Sequence, residues 1–257
     1  NAGLDVSYVP HGVDTTVFKP VDRREARRRF GWPDDAYIVG MVAANKGNPS
    51  RKAFTQQIEA FARLRQKHSD AILYLHTTKC ESGENQGVNL PEFCRAVGLE
   101  VDKDVLFPDQ YRNVMGFPDE YLRDAYSGMD VLLSVSMGEG FGIPILEAQS
   151  CGTPVIVGDW TSMPELCFAG WKVPQEGAER WWTPIAAYQW LPHVDAIFTQ
   201  LDRAYQSREA TRFATMARQG ALRYDADLVV KQYWQPVLAG LEERVGLAQK
   251  AQQTIQA

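Results

Sequence analysis

The stretch SMGEGFGIPILEAQSCGTPVIV, residues 136–157, places a glycine-rich loop directly before a helix start. The apolar run DVLLSV ahead of it is typical of a strand buried in a parallel sheet. Gly138, Gly140 and Gly142 allow the backbone to turn sharply and to approach a ligand closely. Pro144 suits the first position of a helix, where free N–H groups and the helix dipole favour an anion. The stretch therefore predicts a strand, a loop and a helix that together bind a phosphorylated, hydroxyl-rich ligand.

Outside this stretch, short apolar segments alternate with segments of helical periodicity. The segment after the first strand carries Phe54, Ile58, Phe61 and Ala62 on one helical face. The predicted strands are AYIVGMVA at 36–43, AILYLHT at 71–77, DVLF at 104–107, DVLLSV at 130–135 and PVIVG at 154–158. This alternation predicts an α/β fold, a Rossmann-like doubly wound parallel sheet with helices on both faces. Ligands are expected at the carboxyl ends of its strands.

Two carboxylates flank the glycine loop. Glu139 lies within the loop and Glu147 lies about one helical turn into the next helix, so we expect both at one crevice. Carboxylate oxygens accept hydrogen bonds from sugar hydroxyls, whereas an acid beside a bound anion is unfavourable without a cation. The alternative is that Glu139 is a solvated loop residue and Glu147 an ordinary exposed helix residue.

Cationic side chains follow the first strand, in AANKGNPSRKAF at residues 43–54. We expect Ser50 to cap the next helix, with Arg51 and Lys52 at its start. Cations at a helix N-terminus are electrostatically unfavourable unless an anion joins them. The segment therefore predicts a phosphate-binding pair of cations, and the alternative is a solvated cluster on a loop.

Other clusters have structural explanations. The basic run RREARRR, residues 23–29, is predicted to be a solvated helix face. The acids of DAD, residues 225–227, are predicted to cap the final helix rather than to bind a metal. Trp181 and Trp182 are predicted to pack under a long loop, with an exposed aromatic wall as the alternative. His76 is either a buried core histidine or a ligand contact.

Composition excludes several classes of function. The 257 residues contain 27 Lys and Arg against 32 Asp and Glu, a formal net charge of −5, which provides no electrostatic footprint for nucleic acid. We expect neither a transmembrane span nor a signal peptide in this chain, since no apolar run reaches about eighteen residues. The four cysteines lack C-x-x-C spacing and are expected to be reduced thiols. The expected location is cytoplasmic, with peripheral membrane attachment of the full-length protein left open.

Several segments together resemble one known family. EGFGIPILEA at 139–148, followed by CGTPVI at 151–156, resembles the E-x7-E signature of the retaining glycosyltransferase family four. VPHGVDTTVFKP at 9–20 is similar to the segment that opens the C-terminal domain of that family. SMPEL at 162–166 and the closing helix around Trp234 also have counterparts there. The resemblance covers nearly the whole chain and implies one half of the two-domain GT-B architecture.

The resemblance implies a domain organisation. Residues 1–257 are expected to form the C-terminal, nucleotide-sugar-binding domain, with 226–257 as its closing helix and tail. The N-terminal acceptor domain is expected to be absent from this chain. Because the chain starts at Asn1 without an initiator methionine, we expect a piece of a longer protein.

The resemblance also implies an activity. A sugar is transferred from a nucleoside diphosphate sugar to a sugar or lipid-linked acceptor, with retention of anomeric configuration and without a metal or other cofactor. This domain is expected to be inactive alone, because the acceptor is implied to bind through the absent domain. The alternatives are a nucleotide-sugar-binding module without activity of its own and a GT-B-like epimerase or phosphorylase.

Roles for the cations follow from the same resemblance. Members of the family carry an arginine directly after the first strand and a lysine at the helix start, and this pair holds the donor diphosphate. Lys52 matches the lysine. Asn45 and Lys46 occupy the neighbourhood of the arginine, so the second cation is either Lys46 or Arg51.

Roles for the loop follow in the same way. Glu147 is implied to hold the ribose hydroxyls, and Glu139 is implied to hold a hydroxyl of the donor sugar rather than to act as a nucleophile. The loop backbone is implied to contact phosphate and sugar through Gly140, Phe141, Gly142 and Ile143.

Overall fold

The computed structural model describes residues 6–47, 49–80 and 87–256, with side chains described up to residue 246. The two ends of the predicted 1–257 domain therefore lie partly outside the described residues. Six strands form the main sheet, namely β1 (Tyr37–Val42), β2 (Ala71–His76), β3 (Val105–Leu106), β4 (Val131–Ser134), β5 (Val155–Gly158) and β6 (Gly170–Val173). All are parallel, in the order β3-β2-β1-β4-β5-β6. The predicted doubly wound α/β fold is confirmed.

Burial of both sheet faces explains the apolar strands. In β1 only Val42 is less than fully buried, and all of β5 is buried. The chain runs outward from β1 to β3 and then returns to the other side of β1, where Val39 pairs with Val131 of β4. This reversal of strand order opens a crevice at the carboxyl ends of β1 and β4. The loops that follow these two strands therefore meet.

Helices cover both faces of the sheet. They are α1 (Arg23–Phe30), α2 (Phe54–Lys67), α3 (Leu90–Ala96), α4 (Gln110–Met115), α5 (Asp119–Gly128), α6 (Ile143–Ser150), α7 (Val194–Gln206), α8 (Arg212–Ala221), α9 (Ala226–Val229) and α10 (Gln235–Gln256). Helix α2 packs against α7, whereas α1, α5, α6 and α8 pack in succession against one another. No helix in the described part of the chain is long and apolar enough to cross a membrane.

The helix after β1 begins later than the sequence predicts. Helix α2 begins at Phe54, its N-cap is Ala53, and no side chain caps it. The prediction that Ser50 caps this helix is wrong, because Ser50 O accepts a hydrogen bond from Ala53 N at 2.8 Å in a tight turn before the helix. Ala53 has a φ of 48°, a left-handed conformation that residues with a Cβ rarely adopt. The chain therefore bends sharply between Lys52 and α2.

The basic run at 23–29 is a solvated helix face, as the sequence predicts, except at Arg27. Arg27 is 1% exposed, and its guanidinium donates to four backbone carbonyl oxygens. Its Nη2 also lies 2.7 Å from Asp130 Oδ2. Arg29 pairs with Asp124 on α5. Of these arginines only Arg27 lies inside, where α1 packs on α5 and where Asp130 and backbone carbonyl oxygens satisfy its guanidinium group.

Two strands lie outside the main sheet. They are β7 (Glu179–Trp182) and β8 (Tyr188–Leu191), which form an antiparallel hairpin. The predicted burial of Trp181 and Trp182 under a loop is wrong, since they are 43% and 62% exposed. A two-stranded ribbon cannot bury both of its faces by itself, so these indoles remain at the surface.

The opening segment meets the closing helices. Val13 forms a parallel bridge with Asp225, and the Arg218 guanidinium donates to backbone oxygens of the opening segment. Asp225 accepts hydrogen bonds from two backbone N–H groups of α9, so the predicted capping role is confirmed. Helix α10 extends to Gln256, which makes the Ala/Gln-rich end part of the last helix. Over the described ranges, no three His, Cys, Asp or Glu side chains lie close enough together to hold a metal ion.

Candidate functional site

An open cleft of about 540 Å³ lies at the carboxyl edge of the sheet. It is lined by Val42, Ala43, Ala44, Arg51, Lys52, His76, Thr77, Thr78, Asn113 and Pro144. These residues come from the segments after β1 and β2, from α4 and from the first turn of α6. The cleft therefore lies where parallel α/β sheets bind ligands.

Glu139 joins both predicted cations at the edge of this cleft. Its Oε1 lies 2.5 Å from Lys52 Nζ, and its Oε2 lies 3.2 Å from Arg51 Nη1. The carboxylate side chain is only 10% exposed. Burial raises the pKa of Glu139, but Lys52, the Ser136 hydroxyl and Arg51 together outweigh burial and hold this pKa below its ordinary value. Glu139 is therefore ionised at neutral pH.

Hydrogen bonds fix the segment after β1 to the segment after β4. Met137 N donates to Arg51 O at 2.8 Å. Gln57, 1% exposed, donates from Nε2 to Lys52 O at 2.7 Å and accepts at Oε1 from Val135 N at 2.8 Å. One buried side chain therefore fixes both the segment after β4 and the residue that carries the ammonium group.

The turn after β5 shapes the glycine loop. Ser162 Oγ lies within hydrogen-bond distance of two loop carbonyl oxygens, those of Glu139 at 3.0 Å and Phe141 at 2.7 Å. Glu139 N donates to Thr161 Oγ1 at 3.2 Å. Gly142 ends the loop with a φ of 109°, in the left-handed region that glycine adopts without strain. Of the three loop glycines, Gly142 alone has this conformation.

The first turn of α6 offers few free N–H groups. The helix starts at Ile143, so Pro144 occupies the second helical position rather than the predicted first one. Pro144 has no N–H, and Ile145 N donates to Gly142 O at 3.0 Å. Among the first three nitrogens of α6, that of Ile143 is left for a ligand. The positive charge at this edge of the cleft therefore comes more from Lys52 and Arg51 than from the helix end.

Glu147 lies one turn after Pro144, on the same face of α6. Its Oε2 accepts a hydrogen bond from the Tyr126 hydroxyl at 2.8 Å. Burial raises the pKa of Glu147, the Tyr126 hydrogen bond opposes this rise, and the charge of Asp119 adds to it. The structure thus brings Glu139 to the cations and Glu147 to Tyr126. The contact of Glu147 with ribose hydroxyls stays a prediction.

The position after β1 is occupied by a structural amide. Asn45 is fully buried and donates from Nδ2 to Val88 O at 2.7 Å and to Thr78 O at 3.2 Å. Its Oδ1 accepts from Val88 N at 2.9 Å. Lys46, the next residue, is exposed and does not line the cleft. The geometry therefore favours Arg51 over Lys46 as the partner of Lys52.

Two residues at the end of β2 line the cleft. Burial lowers the pKa of His76 to about 4, so its imidazole is neutral at pH 7, and its Nδ1 lies 3.0 Å from the Tyr74 hydroxyl. Thr77 is 4% exposed, and its Oγ1 has no hydrogen-bond partner among the described residues. A buried hydroxyl without a partner is unfavourable. The wall of the cleft thus contains a buried hydroxyl without a partner among the described residues.

Sequence analysis missed three residues that organise this site, namely Gln57, Thr161 and Ser162. Gln57 had a detectable signal, because it falls on the same helical face as Phe54 and Ile58, which is predicted to be buried. A polar side chain on a buried face needs internal partners. Thr161 and Ser162 had no local signal, since their partners lie about twenty residues earlier in the chain.

Comparison with known sequences identifies the family of this fold. The family model described as "Glycosyl transferases group 1" matches residues 36–186. A protein from Kribbella flavida named D-inositol 3-phosphate glycosyltransferase is 31% identical over 185 residues, which are 71% of this chain and 42% of that protein. The chain thus spans less than half the length of this relative.

Solved structures agree on the architecture. Sucrose-phosphate synthase from Thermosynechococcus elongatus matches with a TM-score of 0.69 and 21% identity, over 93% of this chain and 52% of that chain. The Anabaena protein HepE, solved in complex with UDP-glucose, matches with a TM-score of 0.64 and 16% identity, over 90% of this chain and 57% of that chain. At these identities the likeness establishes the GT-B fold.

Proposed function

This chain belongs to the Glycosyl transferases group 1 family, and from that premise we propose that it is the donor-binding half of a retaining glycosyltransferase. In this proposal the chain binds a nucleoside diphosphate sugar in the cleft at the carboxyl edge of the sheet. The acceptor binds across the cleft, with an N-terminal domain outside residues 1–257 forming its other wall.

The observation that carries the proposal is the convergence of Lys52 and Arg51 on Glu139 at the edge of the cleft. Two cations and one carboxylate leave a net positive charge beside the loop backbone of Gly140 and Gly142. Negative charge builds on the β-phosphate as the bond to the sugar breaks. Cations fixed at that position lower the barrier without reorganisation, so we assign Lys52 and Arg51 to the leaving diphosphate.

The two carboxylates take different parts of the donor in this proposal. Glu139 lies beside the cations, so it reaches a hydroxyl of the sugar attached to the diphosphate. Glu147 lies on helix α6, after the glycine loop, and accepts a hydrogen bond from the Tyr126 hydroxyl. We assign Glu147 to the ribose hydroxyls. Because its pKa is lowered, Glu139 is a weak base. The acceptor proton therefore passes to the departing phosphate oxygen, which fits retention without a carboxylate nucleophile.

Relatives suggest which ligands to test first. UDP-glucose is the ligand named for the Anabaena structure, so UDP is the first nucleotide to test. D-inositol 3-phosphate is named in the Kribbella flavida relative, so it is the first acceptor to test.

Isothermal calorimetry of the 257-residue chain with UDP, GDP and ADP tests the donor site. We expect one nucleotide to bind with a micromolar dissociation constant and the other two at least about tenfold more weakly, because the base adds its own hydrogen bonds. Failure of all three to bind would falsify the assignment of the donor site to this chain.

Transfer by the full-length enzyme tests the chemistry. We expect the anomeric configuration of the transferred sugar in the product to equal its configuration in the donor. The coupling constant between the anomeric proton and the neighbouring proton of the sugar ring measures this configuration. We also expect the rate to survive a chelating agent, since Lys52 and Arg51 supply the charge that a metal ion otherwise provides. An inverted product rules out the retaining mechanism, and loss of activity with the chelator rules out metal independence.

A further inference from the structure

The β7–β8 hairpin lies against the glycine loop. Trp190 N donates to Met137 O at 2.9 Å. A methyl group at Gly138 would lie 3.5 Å from Gln189 Cγ, so the Gln189 side chain reaches the loop itself. The hairpin therefore adjoins Glu139, which pairs with both cations.

The two faces of this hairpin differ. Trp181 is opposite Gln189 and Trp182 is opposite Tyr188, and opposite residues share a face. On the Trp182 face the side chains cover one another, with ring centroids 4.9 Å apart for Trp182 and Tyr188 and with Arg180 4.2 Å above Tyr188. On the other face, Trp181 Nε1 lies 3.4 Å from Gln189 Oε1. No second ring lies against Trp181 in the part of the chain that the structure describes.

We propose that Trp181 and Gln189 form an acceptor subsite that binds the hydroxylated six-membered ring of a sugar or cyclitol. This inference rests on the proposed function. Reacting atoms must approach to about 3–3.5 Å before transfer, so the acceptor has to lie against the loop that holds the donor sugar. Gln189, which shares a face with Trp181, is the hairpin side chain that reaches this loop at Gly138.

The chemistry of this face matches a sugar ring better than a lipid surface. The indole offers an apolar plane for the C–H side of the ring, and the Gln189 amide offers a donor and an acceptor for its hydroxyls. Glu179, two residues before Trp181 on the same face, adds a carboxylate that accepts hydrogen bonds from hydroxyls. That carboxylate repels anionic lipid headgroups.

Nuclear magnetic resonance of the indole N–H groups tests this subsite in the 257-residue chain. With UDP present, myo-inositol and D-glucose are each titrated to tens of millimolar. We expect at least one of them to shift the Trp181 signal with a millimolar dissociation constant and to leave the Trp182 signal in place. In Trp181→Ala, the compound that shifts Trp181 in the wild type should no longer shift the backbone amide signals of the glycine loop. In Trp182→Ala, the same compound should still shift them.

Nucleotide binding separates this inference from the proposed function. UDP affinity should be the same within about twofold in Trp181→Ala, because the indole does not touch the cations. If UDP binds and neither probe shifts Trp181, the subsite is wrong while the donor site stands. The subsite is equally wrong if Trp182 responds instead, or if vesicles of phosphatidylcholine and phosphatidylglycerol shift Trp181 and the sugars do not. If no nucleotide binds, the donor site itself is wrong.

Discussion

At Glu139 one carboxylate is the partner of both cations that we assign to the diphosphate, with its Oε1 only 2.5 Å from Lys52 Nζ. Binding of a diphosphate brings a second anion to Lys52 and Arg51, so the carboxylate and the phosphate compete for them. On the proposed assignment, a donor with its sugar compensates Glu139 with a hydroxyl, whereas a nucleotide without the sugar does not. We therefore expect Glu139 to favour the intact donor over the product nucleotide.

Replacing Glu139 by Gln should reveal this competition. We expect Glu139→Gln to bind UDP about fivefold to hundredfold more tightly, because a charge about 5 Å from the diphosphate opposes binding by about 1–3 kcal/mol. The gain should be smaller for UDP-glucose, since the variant bonds the sugar hydroxyl less well. Calorimetry with both ligands measures the difference, and Glu120→Gln, an exposed residue on α5, is the matched control. Weaker UDP binding in Glu139→Gln would contradict the competition.

The half-buried imidazole of His76 should make stability depend on pH. Burial lowers the pKa of His76 from 6.5 to about 4, so the unfolded chain binds a proton in this window and the folded chain does not. Acidification from pH 6.5 to 4 should therefore lower the free energy of unfolding, by up to about 3 kcal/mol from this residue. Between pH 6.5 and 4, the free energy of unfolding measured with urea should depend less on pH in His76→Gln than in wild type. The exposed control His193→Gln should keep the wild-type slope, and equal slopes for His76→Gln and wild type would refute the effect.

At the scale of elements, helix α1 shows how a surface pattern conceals a buried group. The run at 23–29 contains five arginines that are equivalent by composition, yet only Arg27 is buried at 1% exposure. Its partners include Gly128 O and Asp130, which lie about a hundred residues later in the chain. No local pattern in the run distinguishes Arg27 from Arg28. Residue type misleads in the same way at the β7–β8 hairpin, where Trp181 and Trp182 are of a residue type that is usually buried but are exposed.

Removing the Arg27 guanidinium should leave Asp130 without its most buried partner. We expect Arg27→Met to lower the free energy of unfolding by about 3–5 kcal/mol, because Asp130 then keeps only the half-exposed Arg23 as a charged partner and the buried carbonyl oxygens around Arg27 lose their donor. The neighbouring Arg28→Met, at an exposed position of the same helix, should change it by less than about 0.5 kcal/mol. Urea denaturation of both variants measures the contrast. Equal losses in the two variants would show that Arg27 has no special structural role.

For the whole molecule, the sheet was predictable because burial on both faces forces continuous apolar strands such as β1 and β5. The strand order then brings the loops after β1 and β4 together, which explains why Lys52 Nζ and Glu139 Oε1, from two segments that the sequence places at the same edge of the sheet, lie 2.5 Å apart. The supporting contacts were not predictable in the same way. The bond from Gln57 to Lys52 O needs the bend at Ala53, and Ser162 meets Phe141 only after β5 has joined the sheet.

Calorimetry of Lys52→Ala with the preferred nucleotide tests whether Lys52 holds the diphosphate of the donor. We expect binding about tenfold to hundredfold weaker than wild type, since one charge-assisted hydrogen bond is lost. Lys103→Ala, which alters an exposed lysine paired with Glu100 in the turn before β3, should bind like wild type. Wild-type nucleotide affinity in a folded Lys52→Ala variant would contradict the account.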